Sequence, residues 1–245
     1  MENASTSAPR AQPGGIATGK QPDKGTQLRL IGMLDSPYVR RVAISLDMLV
    51  IPFQFEAVSV FSTFARFQSI NPVVKAPTLV CDNGDVLMDS SLILQFLEST
   101  TGRSLWSPSP SKRQQQFRAV GLALAACEKS MQIVYEKNLR PLSAQYQPWL
   151  ERMLAQLLAA YKGLEQEVQT RSSVFATAHN DASITAAVVW QFTQSMLADM
   201  IPASDHPGLV ALSTRMELLP GFLKYPPVGP GVTSSHLHKA GRFDG

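Results

Sequence analysis

The chain changes its pattern once, near residue 100, and that change limits what it can fold into. From Leu28 to Leu97 short apolar runs alternate with amphipathic stretches. After residue 110 strand signals vanish and only helical periodicity remains. Ser107-Pro108-Ser109-Pro110 marks the break, because proline disfavours helix both at its own position and just before it. The pattern predicts an α/β unit of about 75 residues followed by an all-helical unit of about 117, a two-domain layout.

Within the first unit, Leu28–Ile31 reads as a strand closed by Gly32. Tyr38–Leu49 reads as a helix, with Val39, Val42, Ala43 and Leu46 on one stripe and Arg40, Arg41 and Asp47 mostly on the other face. Phe53–Val60 alternates as a strand does, and Thr63–Gln68 reads as a short irregular helix. The runs Pro77–Val80 and Val86–Met88 flank Asp82-Asn83-Gly84-Asp85, a strong hairpin signal. Ser90–Ser99 is helical, with Leu92, Ile93, Phe96 and Leu97 as its apolar face. The order β-α-β-α-β-β-α predicts a mixed four-stranded sheet with helices on its faces, the thioredoxin-like arrangement. In the second unit, 112–137, 148–170, 181–200 and 207–217 carry helical periodicity. The expected organisation is a disordered tail over 1–26, a thioredoxin-like domain over 27–100, a linker over 101–110, a helical domain over 111–227 and a flexible tail over 228–245.

Composition narrows the function classes. Among 245 residues the net charge is only +3, too weak to imply a nucleic-acid partner. No apolar run approaches the ~18 residues of a membrane span, and the N-terminus lacks the apolar stretch of a signal peptide. The two cysteines, Cys81 and Cys127, contain no C-x-x-C pair, which fits a reducing, cytoplasmic compartment. Both read as small core residues rather than nucleophiles. His236-Leu237-His238 falls far short of a metal site, so no metal is expected.

Three short stretches hold residues suited to chemistry. Asp35-Ser36-Pro37-Tyr38 opens the first helix, where Ser36 is a natural N-cap with Pro37 at the first helical position. The same helix N-terminus favours an anion, and a hydroxyl there can donate to a thiolate. Asn71-Pro72-Val73-Val74-Lys75-Ala76-Pro77 leads into a strand, either as a plain loop or through a cis Ala76-Pro77 bond. Met88-Asp89-Ser90-Ser91 opens the next helix with an acid and two hydroxyls, which serve either as caps or as partners for a ligand's ammonium and carboxylate.

Taken in this order and at these spacings, the three stretches resemble those of the cytosolic glutathione S-transferases, most closely bacterial members of the YibF-like type, over about residues 27–226. The resemblance implies that Ser36 contacts the glutathione sulfur and that Tyr38 fills the aromatic position beside it. It implies a cis Ala76-Pro77 bond, with Ala76 presenting its backbone to the cysteinyl part of glutathione and Lys75 approaching a carboxylate. It assigns Asp89 and Ser90 to the γ-glutamyl amine and carboxylate. The electrophile site is expected among Leu34, Tyr38, Met131 and Tyr135, with Arg140 as a further candidate; helical core packing accounts equally well for Met131 and Tyr135.

Aligning the family's core-helix capping box on Trp190-Gln191-Phe192 places Asn180-Asp181-Ala182-Ser183 there, with Ser183 where an acid is usual. The reciprocal half of the box is then weakened, and Ser183→Asp is expected to raise the melting temperature.

The implied function is a serine-type glutathione transferase: glutathione as co-substrate, a small hydrophobic electrophile or peroxide as partner, and a homodimeric state from the family. A cysteine at position 36 would suggest thiol-disulfide exchange; serine there argues against it. The alternative is a non-catalytic glutathione- or ligand-binding protein, or a regulatory interaction protein, of the same fold.

Overall fold

The computed structural model describes residues 28–232. The tail expected over 1–26 and the stretch 233–245, which includes His236 and His238, lie outside those residues. The sheet comprises β1 (Arg29–Gly32), β2 (Gln54–Ala57), β3 (Thr78–Val80) and β4 (Val86–Met88) in the order β2-β1-β3-β4. β1 and β2 run parallel, with Leu30 beside Phe55, and so need a crossover, which α1 (Pro37–Met48) supplies. β3 runs antiparallel to both β1 and β4, with Leu79 beside Leu30 and Leu87. Two further helices, α2 (Phe64–Ile70) and α3 (Ser90–Thr101), complete this thioredoxin-like domain.

The helical domain holds α4 (Pro110–Leu139), α5 (Gln147–Thr170), α6 (Ser172–Phe175), α7 (Asp181–Leu197), α8 (Pro207–Glu217) and α9 (Pro220–Lys224). The short α6 and α9 carry too few turns to show a periodicity. Buried α7 sits at the centre, packed on α1, α4 and α8. One apolar core therefore runs from Leu30, Val42 and Leu46 into Ala186 and Val189. Among the described residues no helix is long and apolar enough to cross a membrane.

α1 is covered on two sides, by the sheet and by α7. Gly32 permits the close approach to the sheet, since a Cβ there would meet the Val39 side chain. On the far side, Arg40 and Arg41 are buried rather than solvated. Arg40 grips Glu217 through two bonds of 2.7 and 2.6 Å and donates to the Tyr225 carbonyl. Arg41 pairs with buried Asp181 at 2.6 Å.

The start of α7 corrects the expectation for Ser183. Asn180 caps the helix, its Oδ1 accepting from Ser183 N–H at 2.9 Å. The Asn180 N–H, which an acid at 183 would accept, already donates to the Ala178 carbonyl. The Ser183 hydroxyl is fully buried, accepts from Asn180 Nδ2 and donates to the Thr177 carbonyl. The box is closed by a different set of bonds, and a carboxylate at 183 would face a carbonyl it cannot bond.

Candidate functional site

A cavity of about 460 Å³ lies between the two domains. Three loops of the sheet domain reach it: Met33–Tyr38 after β1, Val58–Phe61 after β2, and Val74–Ala76 before β3.

Ser36 is the N-cap of α1 and lines this cavity. Its Oγ accepts from Val39 N–H at 3.5 Å, a long bond. As the oxygen is the acceptor, the hydroxyl proton remains to donate elsewhere. Pro37 at the first helical position lacks an N–H, as a helix start tolerates.

The 71–77 loop is built on Asn71. This buried amide donates to Thr78 Oγ1 at 2.8 Å and accepts from Val73 N–H, while Thr78 Oγ1 donates to the Lys75 carbonyl at 2.7 Å. These bonds hold Val74 at a φ of +53°, strained for a β-branched residue. The Ala76-Pro77 bond is cis. Val74, Lys75 and Ala76 all face the cavity.

Asp89 lies beside this loop, its Oδ2 3.7 Å from Lys75 Nζ. Its other oxygen caps α3 by accepting from Ser91 N–H at 2.9 Å. With φ +73° and ψ 126° Asp89 sits in a region costing about 1–3 kcal/mol, held by its surroundings. The Ser90 hydroxyl points inward, where it accepts from Arg41 at 3.1 Å, as Ser91 Oγ does at 3.0 Å. The Ser90 amide opens α3, where a backbone N–H has no intrahelical acceptor. Asp89 and Ser90 do not line the cavity themselves.

Met131 and Tyr135, one turn apart on α4, form its helical wall with Phe192 and Met196 of α7. Burial and the Asp35 carboxylate hold the Tyr135 hydroxyl above the ordinary phenol range. Tyr38 also lines the cavity, but its hydroxyl is hydrogen-bonded to the thiol of Cys127. Burial, then that neighbour, raises the Tyr38 hydroxyl; burial pushes the Cys127 thiol up to about 12. A thiol so placed is a core group, as its sequence context predicts. Leu34 is buried in the core, and Arg140 pairs with Glu136, so neither joins the cavity wall. Among the described residues no group of three His, Cys, Asp or Glu side chains is arranged to hold a metal ion.

The sequence reading misses the fifth wall. Residues 228–232, assigned there to a flexible tail, follow Pro227 across the cavity. Gly231 N–H donates to Asp35 Oδ2 at 2.9 Å, and Val232 O accepts from Asn138 at 3.1 Å. A Pro/Gly-rich segment has no periodicity to signal such a role. Phe192 and Met196 are missed for the opposite reason: α7 is apolar nearly all round, so pattern cannot pick out the face that meets the cavity.

Residues 30–105 match the family model described as glutathione S-transferase, N-terminal domain. The chain is 28% identical over 129 residues to glutathione S-transferase U3 of Arabidopsis thaliana, covering 47% of this chain and 57% of that protein. It spans 40% of the length of two further curated relatives, glutathione S-transferases U6 and U1 of the same plant. Among solved structures, a glutathione transferase family member from Pseudomonas fluorescens Pf-5 with bound glutathione is 27% identical, with a TM-score of 0.73 over 82% of this chain and 100% of that one. A glutathione S-transferase from Methylobacterium radiotolerans in complex with glutathione sulfonate superposes with a TM-score of 0.74 at 24% identity, covering 85% and 98%, a likeness of fold. The thioredoxin-like domain followed by a helical domain is the glutathione transferase fold.

Proposed function

We propose that the chain is a glutathione transferase of the serine type, of the bacterial YibF-like kind. One observation carries the reading: the Ser36 hydroxyl stands at a helix N-terminus on the wall of a cavity whose opposite walls are apolar. That puts a thiolate site next to room for a hydrophobic electrophile. The solved relative with bound glutathione supports the ligand.

Glutathione would lie along the 74–77 loop, its cysteinyl part against the Ala76 backbone. Lys75 would meet a carboxylate, Asp89 the γ-glutamyl ammonium group and the Ser90 amide the adjoining carboxylate. Ser36 would donate its proton to the sulfur, with the N-terminus of α1 behind it. A thiol near pKa 8.5 is only a few per cent ionised at pH 7, and lowering it by ~2 units makes it mostly thiolate. The sulfur lone pair then attacks an electrophilic carbon, forming a C–S bond as the leaving group departs with its electrons. With a peroxide the sulfur attacks one oxygen, an S–O bond forms as the O–O bond breaks, the thiol is oxidised to a sulfenic acid, and the released alkoxide takes a proton to leave as the alcohol.

Two exposed apolar side chains one turn apart on α3, Leu92 and Phe96, and the stacked Trp106–Phe117 pair suit a homodimer. We place the protein in the cytoplasm.

The test is Ser36→Ala. Losing one charge-assisted hydrogen bond, worth about 1.5–3 kcal/mol, is expected to raise the pKa of bound glutathione by one to two units and cut the conjugation rate about 10- to 100-fold. No change in either refutes the serine role. Retention of the parent protein on immobilised glutathione without turnover of any electrophile or peroxide points instead to a non-catalytic binding protein.

A further inference from the structure

The segment 226–232 is placed unlike a tail. It leaves α9 at Tyr225, whose carbonyl is held by the buried guanidinium of Arg40 at 2.8 Å. It then crosses the cavity and ends against α4, where Asn138 holds the Val232 carbonyl. Midway it is tied to the sheet domain by Gly231 N–H on the Asp35 carboxylate. Pro227, Pro230 and Val232 add apolar surface to the cavity wall. Three anchors, on α1, on the loop before it and on α4, fix the stretch of chain that closes one side of the cavity.

Gly229 shows how closely the strap is seated. A Cβ at that position would fall well inside van der Waals contact distance of all three atoms of the Asp35 carboxylate. The carboxylate is packed directly beneath the strap while its Oδ2 accepts the Gly231 N–H. Asp35 is also the residue next to Ser36, at the start of α1. The position of the strap is thus set from the same loop that presents the Ser36 hydroxyl.

The geometry points to Asp35 as a specificity-determining residue that acts through the strap: its latch on Gly229–Gly231 sets the length of the electrophile the cavity admits. This rests on the cavity being the electrophile site. Asp35 is a positioning residue, not a catalytic one. Its carboxylate is engaged by backbone, and what it controls is where the wall stands. A latched strap stops a linear apolar group at a fixed depth. An unlatched one lets the group run on between α4 and the sheet domain.

S-Alkyl glutathiones of rising chain length, from methyl to decyl, test this by calorimetric titration without any need for turnover. Each methylene that finds an apolar wall is expected to tighten binding about fourfold. In the parent protein that gain stops at the length where the chain meets the strap. In Gly229→Ala the new methyl group forces apart strap and carboxylate, and the stop moves outward by at least two carbons. Asp35→Ala, which removes the acceptor, does the same. Asp35→Asn keeps an oxygen for the Gly231 N–H and is expected to return the parent's stop. A stop that is the same in the parent, Gly229→Ala and Asp35→Ala overturns the latch. Failure of the parent to bind glutathione or its S-methyl form overturns it in a different way, by removing the ligand reading on which it rests. A shift in Asp35→Asn as large as that in Asp35→Ala also overturns it, since the hydrogen bond would then not be what holds the wall.

Discussion

The ion pair between Arg41 and Asp181 joins the two domains, and its loss is expected to be among the costliest single changes in the chain. The two side chains are 2% and 3% exposed. Arg41 Nη2 meets Asp181 Oδ2 at 2.6 Å and its Nε lies 3.3 Å from Oδ1, while Nη1 serves the hydroxyls of Ser90 and Ser91. Asp181 Oδ1 also accepts from Thr185. Breaking a buried pair from one side leaves the other charge buried without a counter-charge, which costs about 3–5 kcal/mol. For a chain of this size each kcal/mol moves the midpoint by about 2–4 °C, so Asp181→Asn is expected to lower it by about 6–20 °C. Scanning calorimetry measures this directly. Arg41→Met together with Asp181→Leu removes both charges at similar volume, and is expected to cost less than either single change. A drop below about 3 °C for Asp181→Asn, or a double variant as damaged as the sum of the singles, refutes the reasoning that the cost is that of an orphaned buried charge.

Two further outcomes follow from buried groups. Burial lifts the Cys127 thiol from 9.0 to about 12, so the folded chain keeps a proton that the unfolded chain releases. Its contribution is complete below pH 9 and is lost as pH climbs to about 12, at about 1.4 kcal/mol per pH unit at most. The fall in melting temperature between pH 9 and 10.5 is expected to be shallower in Cys127→Ala than in the parent, and equal slopes contradict the assignment. Ser183→Asp is expected to lower the melting temperature by several degrees, because it buries a carboxylate opposite the Thr177 carbonyl. A rise would restore the simple capping-box reading of the sequence.

Where a residue's role is local, the sequence exposes it. Ser36-Pro37 reads as a helix start because N-cap chemistry needs only neighbours in sequence, and Asp82–Asp85 reads as a hairpin for the same reason. The first strand, α1, the hairpin and the four long helices fall within a few residues of their expected bounds. Where a role depends on what packs against an element, the pattern misleads. Arg40 and Arg41 lie off the apolar stripe of α1 and look solvated, yet both are buried because a second domain covers that face. Ser90 is read as facing a ligand, and its hydroxyl turns inward because Arg41 stands beneath it. Tyr38 does line the cavity, where it is read as an electrophile contact, but pattern gives no sign that its hydroxyl is engaged by Cys127 across the domain boundary. Each of these depends on a long-range pairing that hydrophobic periodicity does not encode.

The same long-range pairings explain why the sheet domain alone does not define the proposed sulfur site. Within seven residues, Asp35 to Arg41, the chain sets the strap, offers the Ser36 hydroxyl, opens α1 and sends two buried guanidinium groups into the helical domain. Ser36 caps the same continuous helix that carries both arginines, so a shift of α7 that relaxes Asp181 is expected to displace Ser36 more than the 71–77 loop, which is held by Asn71 and Thr78. The distance between the hydroxyl and the Ala76 backbone is in this way a property of domain packing. It follows that substitutions deep in the α1–α7 contact should change sulfur activation more than glutathione affinity, whereas changes at Asn71 should do the reverse.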